Sequence, residues 1–338
     1  MVAILSLVII LSVLAGACRV FAQEEESGEN YNMPSWLDNT ARWYTEGKIS
    51  QQTFLDAYRY AIQQGLFQIE PKSEQQEAIA GTLTPSDEIV LAGQQANCRD
   101  ANFPMVNWSY CDFSGLNLNH YDLHDSNLTG INLAGANLQK AYLVNAHLDQ
   151  SVLNYADLTN ADLPGASLMH SQLVGVFGPF LDLRFANLTG SNLTDSHMRS
   201  TSANWSIMKN VTLSDSDLNH SEFLGADLSG SDLRNSNFEE SLMVDVNFTG
   251  TNASGADFTD ADLSGANLTG AVLSKANLQN AGLGFALLRG ANLYGAYLGH
   301  ADLGGADLTG ANLTNANLSG ATLAGANLQC VGNPICTK

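Results

Sequence analysis

From Ala96 to Cys330 the chain repeats with a period of five residues and never loses the beat. Successive units read Ala256-Asp257-Phe258-Thr259-Asp260, Ala261-Asp262-Leu263-Ser264-Gly265 and Ala266-Asn267-Leu268-Thr269-Gly270, and the series closes with Ala326-Asn327-Leu328. Counting centres from Cys98 to Leu328 gives 47 units without an insertion, 33 centred on Leu and six on Phe. A period of five excludes both regular elements. In a straight strand it sends successive leucines to opposite faces, and in an α-helix it moves them about 140° around the axis. Only a chain that turns a corner inside every unit buries them all together.

The rest of each unit fits that corner. The first position is small or β-branched almost throughout, with an unbroken Ala series from Ala256 to Ala326. By period-two alternation it points inward with the third-position centre, while the Asp or Asn between them points out. The fifth position is Gly, Asn or Asp in 30 of 47 units, and the three prolines of the array, Pro104, Pro164 and Pro179, all stand fourth. Pro followed by Gly or Asn is the central pair of a type II turn. Repeated corners of this kind wind an all-β solenoid whose coils pair through the backbone.

Tandem A[D/N]LxG units resemble the pentapeptide repeat family over residues 96–330, about two thirds of the chain. The resemblance implies a right-handed, four-sided (quadrilateral) parallel β-helix with four units per coil. Residues 20 apart then stack, and the 47 units make eleven coils and three further sides. That is a rod roughly 55 Å long at ~4.8 Å per coil. Gly178, Ala203 and Ala253 are undersized centres. Phe177 and Pro179 beside the first, Met198 and Met208 around the second, and Phe238, Met243 and Phe248 in the coil of the third read as compensation of volume.

The chain begins differently. Residues 2–18 are its long apolar run, and Val20-Phe21-Ala22 before Gln23-Glu24-Glu25-Glu26 reads as a signal peptide, 1–22, cut after Ala22. No Lys or Arg precedes the run, so an uncleaved anchor or lipid attachment at Cys18 stays open. Residues 23–33 are an acidic linker. Residues 34–70 carry Trp36, Leu37, Trp43 and Tyr44, then Phe54, Leu55, Tyr58 and Ile62, at helical spacing. They read as a helical hairpin that resembles a tryptophan-bearing module of exported archaeal proteins. Residues 71–95 are a linker with a short helix, 85–93, expected to cap the first coil.

No catalytic, cofactor-binding or metal motif emerges. His120, His220 and His300 share one corner, but the first two are five coils apart, about 24 Å, too far to share a metal. Asp162 over Asp182 reads as a solvated pair. Twelve Asn-x-Ser/Thr sequons occur, among them Asn107, Asn127, Asn187, Asn192, Asn267, Asn312 and Asn317, although the repeat itself spells Asn-Leu-Thr. The family resemblance includes acidic DNA mimics that inhibit a topoisomerase, and the array holds 22 acidic against 8 basic residues. Here the acid is diluted by Asn and Gly, and an export signal parts the rod from DNA. A carbohydrate-active β-helix enzyme is the other alternative, but the array has no insertion to build a groove.

The expectation is therefore an exported, non-enzymatic scaffold, extracellular or at the cell surface, binding a protein or surface polymer. Nucleic acid is not its expected partner, and a membrane is reached only through an uncleaved N-terminal segment. Its expected contact patch lies on the second side, where Phe185, Trp205, Leu224, Leu242 and Val244 occupy positions that point outward. After loss of the signal segment four cysteines remain, Cys98, Cys111, Cys330 and Cys336. In the coil frame cross-pairs span the whole rod, which leaves pairing within each end, with Cys98 and Cys111 as buried thiols the alternative.

Overall fold

The computed structural model describes Cys98 and residues 105–337. The segments 1–22, 23–33, 34–70 and 71–95 read above as signal peptide, linker, helical hairpin and capping region lie outside the described residues.

Within the array the second position of each unit forms a parallel bridge to the second position 20 residues on, from Asn107 with Asn127 to Asp307 with Asn327. Twenty residues are four units, so the coil has four sides. The backbone ledger repeats without variation over most of the rod. The centre's N–H donates to the second-position carbonyl of the next coil, as from Leu128 to His147 at 2.7 Å. The second-position N–H donates to the coil before, as from Asn127 to Val106 at 2.9 Å. The fifth-position N–H reaches the next coil's fourth carbonyl, as from Gly130 to Asp149 at 2.8 Å, and the first folds back three residues, as from Ile131 to Leu128 at 3.1 Å. Four of five N–H groups per unit are thereby satisfied by backbone.

The fold-back bond closes a four-residue turn whose third residue is the fifth position. Its φ is positive in every unit from Met105 to Gly325, which is the signature of a type II turn. Most of the non-glycine residues held there are Asn, Asp or His, the types that tolerate the left-handed region best.

The interior is one continuous column of centres and first-position side chains, and no charged side chain is buried among the described residues. In its middle the first position changes from Ala to Ser or Thr. Most of these hydroxyls donate to the centre carbonyl one coil back, as from Ser216 to Leu193 and Ser231 to Met208, while Ser206 and Ser236 donate within their own turn and the Ser196 and Thr201 hydroxyls are buried without a partner among the described residues. Small buried hydroxyls are tolerated because every turn leaves a carbonyl lone pair facing in.

The undersized centres are filled, though not always as expected. Phe177 points outward, half exposed, and it is Leu181 at the following first position that takes the room of Gly178. A Cβ on Gly178 would meet Leu181 Cδ2 at 3.4 Å and Leu158 Cβ at 3.6 Å. Around Ala253 the volume comes from phenylalanines, with Phe238 stacked on Phe258 at 5.4 Å and Phe248 edge-on to Phe258 at 6.1 Å.

Both ends carry disulfides, Cys98 with Cys111 at a Cα separation of 5.6 Å and Cys330 with Cys336 at 5.0 Å. At the second, the register slips. Cys330 counts as a fifth position yet lacks the positive φ, lies buried, and sends Val331 rather than Gly332 to bridge Asn312. The last corner has lost one residue. The chain recovers at Gly332, whose φ of +82° and approach to Thr314, with backbone atoms 2.8 Å from a notional Cβ, admit no side chain.

Candidate interaction surface

The surface is built by the one N–H that the backbone ledger omits, that of the fourth position. In most units the second-position Asn or Asp turns its Oδ1 onto that N–H two residues ahead, as Asn187 does to Thr189 at 3.0 Å and Asp307 to Thr309 at 3.0 Å. A fourth-position Ser or Thr adds its hydroxyl, with Thr189 Oγ1 donating to Asn187 Oδ1 at 2.7 Å. The outward Asp/Asn is thus primarily a local turn-maker, a role that sequence reasoning missed. The signal was present in the prolines: Pro164 and Pro179 stand fourth, where no N–H needs a partner, and the residue two before Pro179 is free to be Phe177. Where the second position is Gln172 or Glu222, a fourth-position Asn one coil back supplies the oxygen, from Asn154 to Val174 N and from Asn204 to Leu224 N, both at 2.9 Å.

Ladder bonds between coils come second. Asn247 Nδ2 donates to Asp227 Oδ1 at 3.0 Å, and Asn237, between Asp217 and Asp257, donates Nδ2 to Asp217 Oδ1 at 3.2 Å, so asparagine stacked on aspartate replaces repulsion by a bond. The exception is Asp162, which bridges Asp182 directly. Burial, then the neighbouring Asp182 charge, push its carboxyl above the usual range, whereas Asp182 itself is clasped by Arg184 at 2.6 Å. At the other extreme, hydrogen bonds from Thr309 and Arg289 hold Asp307 at about 2. Among the described residues no group of three or more His, Cys, Asp or Glu is placed to hold a metal ion.

Corner side chains follow their own rule. In the left-handed conformation a large fifth-position side chain leans over the same corner of the next coil, and that corner is often glycine. Tyr110 lies on Gly130, Tyr155 on Gly175, Trp205 on Gly225 and Phe285 on Gly305. His170 and His300 do the same over Gly190 and Gly320, which makes these histidines surface packing residues. The pairing was legible as large residue, then Gly, 20 residues on.

Of the five residues expected to form the contact patch, Leu242 is 50% exposed and Phe185, Leu224 and Val244 are half-buried. Trp205 corrects the expectation of an exposed ring: it is 6% exposed, whereas the same leaning geometry leaves Tyr110, Tyr155 and Phe285 at 74%, 69% and 76%. Its indole lies flat along the corner on Gly225, so it is the floor of the apolar strip rather than its open face. Leu242 stands in a bridge column between Glu222 and Asp262, an apolar residue amid acid. Phe177 and Phe180, exposed on the neighbouring side, were not part of the expected patch.

The description "Pentapeptide repeats (8 copies)" matches segments that together run from residue 181 to 295 and from 291 to 329, and "Pentapeptide repeat region" matches 101–177. The chain belongs to the pentapeptide repeat family. Among curated proteins no relative matches. Solved structures similar to this pentapeptide-repeat chain include HetL, a pentapeptide repeat protein involved in heterocyst differentiation regulation from the cyanobacterium Nostoc sp. strain PCC 7120. It is 27% identical, covers 73% of this chain and 97% of its own, with a TM-score of 0.41. QnrB1, a plasmid-mediated fluoroquinolone resistance protein, is 20% identical over 55% of this chain and 89% of its own, with a TM-score of 0.32. Rfr23 from the cyanobacterium Cyanothece 51142 is 30% identical over 35% and 64%, with a TM-score of 0.22. The four-sided coil observed here is that of the right-handed quadrilateral β-helix characteristic of pentapeptide-repeat proteins.

Proposed function

We propose that this pentapeptide-repeat protein is an exported, non-enzymatic scaffold that holds a protein partner at or outside the cell surface. The apolar run and the cleavage signature after Ala22 support export. The scaffold reading rests on a single observation. Leu242 stands half exposed in a column whose neighbours are Glu222 and Asp262, beside Leu224 and Val244 and on a floor made by Trp205. An apolar strip on a face otherwise made of turn-forming Asn and Asp is what a partner's apolar anchor would use. Around it the stacked coils, tied also by the Thr201 and Ser221 N–H groups donating to the Ser221 and Ser241 hydroxyls, keep the strip in place, which lowers the entropy lost on binding.

Two measurements test the reading. Mass spectrometry of the mature N-terminus in surface and medium fractions is expected to find the chain beginning at Gln23; an intact N-terminus in the cytoplasm sinks export. A photo-crosslinking residue at position 224 is expected to capture one defined partner, and Leu242→Asn to abolish that capture without lowering the unfolding midpoint. Equal capture from position 267, on a different side, would dismiss the strip.

A further inference from the structure

We propose that Asn210 is an N-glycosylation site of the exported protein, a sequon whose asparagine the fold leaves exposed at a bare corner. The twelve sequons fall into distinct structural classes. In nine of them the asparagine holds the second position and its Oδ1 accepts the N–H of the sequon's own Ser or Thr, as in Asn107, Asn127, Asn252 and Asn267. That bond lays the amide on a side of the rod with a stacked coil ~4.8 Å away, on both sides for the seven from Asn127 to Asn312. In three of the nine the Nδ2 that would carry sugar is also spent on the ladder, at Asn192, Asn247 and Asn312. A glycan there would overhang the neighbouring coils and, at these three, compete with the Nδ2 ladder bond.

The remaining three stand elsewhere in the unit. Asn204 is buried, donates to Glu222 at 2.9 Å and accepts from Leu224 N at 2.9 Å. Asn219 has its amide oxygen buried. Asn210 alone occupies a corner: its φ is +53°, it is exposed, and its side chain has no hydrogen-bond partner among the described residues. The amide leans onto Gly230 with Oδ1 against the glycine, and the same corner is glycine again at Gly250, Gly270, Gly290 and Gly310. No side chain obstructs that corner for five coils, so a sugar chain leaving Nδ2 meets bare backbone in the direction in which the side chain leans.

The chemistry is a glycosyl transfer. The Asn210 Nδ2–C1 bond forms and the C1–O bond to a lipid-linked diphospho-oligosaccharide donor breaks. The lipid diphosphate leaves, and Nδ2 gives up one proton. Nothing is oxidised or reduced. The transferase reads Asn210 and the hydroxyl of Thr212 together.

The site rests on the export proposed above, and the experiment separates the two. The protein is recovered from the medium, surface and cytoplasmic fractions of producing cells and digested, and the peptide Asn210–Arg234, which also contains Asn219, is fragmented with glycan-preserving activation. The expected result is a saccharide mass on Asn210, lost in Asn210→Gln and equally in Thr212→Ala, which keeps the asparagine. An unmodified Asn210 in protein that begins at Gln23 overturns the site and leaves export standing. An unmodified Asn210 in protein that keeps its first 22 residues and stays in the cytoplasm overturns both.

Discussion

At the scale of single residues, the fourth-position N–H decides what the second position must be. Asn187 satisfies that group in Thr189 and also accepts the Thr189 hydroxyl. Asn187→Ala strands both donors and is expected to cost on the order of 1 kcal/mol, read as a lower denaturant midpoint at unchanged slope. Asp162 is the opposite case. It precedes Pro164, which has no N–H to satisfy, and burial and Asp182 raise its carboxyl above the ordinary value. A carboxyl raised on folding contributes stability at low pH that is lost as pH rises through its folded pKa. Asp162→Asn is therefore expected to raise the unfolding midpoint at pH 7 and to give no gain at pH 3. An equal effect at both pH values would show that charge is not the cause. At the corners, Gly225 and Gly270 separate conformation from contact. Both have a positive φ, but a Cβ on Gly225 would fall 2.1 Å from the Trp205 ring, whereas nothing lies within 4 Å at Gly270. Gly270→Ala is expected to cost roughly 1–2 kcal/mol from the left-handed backbone alone. Gly225→Ala should cost more and shift Trp205 fluorescence, since the indole must leave its floor.

At the scale of the coil, the four-sided architecture was legible because a period of five has so few solutions once helix and strand are excluded. The prolines and glycines then placed the turn, and the coordinates agree at every described corner up to Gly325. Less of the surface was legible. Whether Trp205 points into solvent is not shown by spacing, since Tyr155 leans on Gly175 in the same way and stays 69% exposed. The terminal slip was equally hidden. The repeat ends at Cys330 in sequence, but closing a bridge to Cys336 draws Cys330 inward and removes one residue from the corner. What fixes the slipped register is Gly332 against the Thr314 backbone. Gly332→Ala is expected to release this last turn locally. Hydrogen exchange should show lost protection at the Val331 amide, which donates to Ala311, and retained protection at Leu268, which donates to Leu287. Uniform loss at both would mean that the end is not an independent element.

At the scale of the whole rod, each coil contacts only its neighbours, so stability is nearly a sum of coil and interface terms. The consequence of a defect then depends on where along the column it sits. Leu268 is fully enclosed, with its N–H bonded to Leu287 in the next coil and the centres of both adjacent coils buried around it. An aspartate there has no cation or donor within reach, and an unpaired buried carboxylate costs several kcal/mol. Leu318 is a centre of the same type, but it lies in the last coil, where it and its neighbours Leu323 and Leu328 are only partly covered. An aspartate at 318 keeps contact with water and disturbs one interface instead of two. Leu268→Asp is therefore expected to abolish the cooperative transition and the β signal of the rod, while Leu318→Asp keeps the transition with a midpoint lowered by only part of that amount. Circular dichroism melts of the two variants side by side decide the matter. A folded Leu268→Asp protein would contradict the continuous dry column, and an unfolded Leu318→Asp protein would show that the rod folds as one indivisible unit rather than coil by coil.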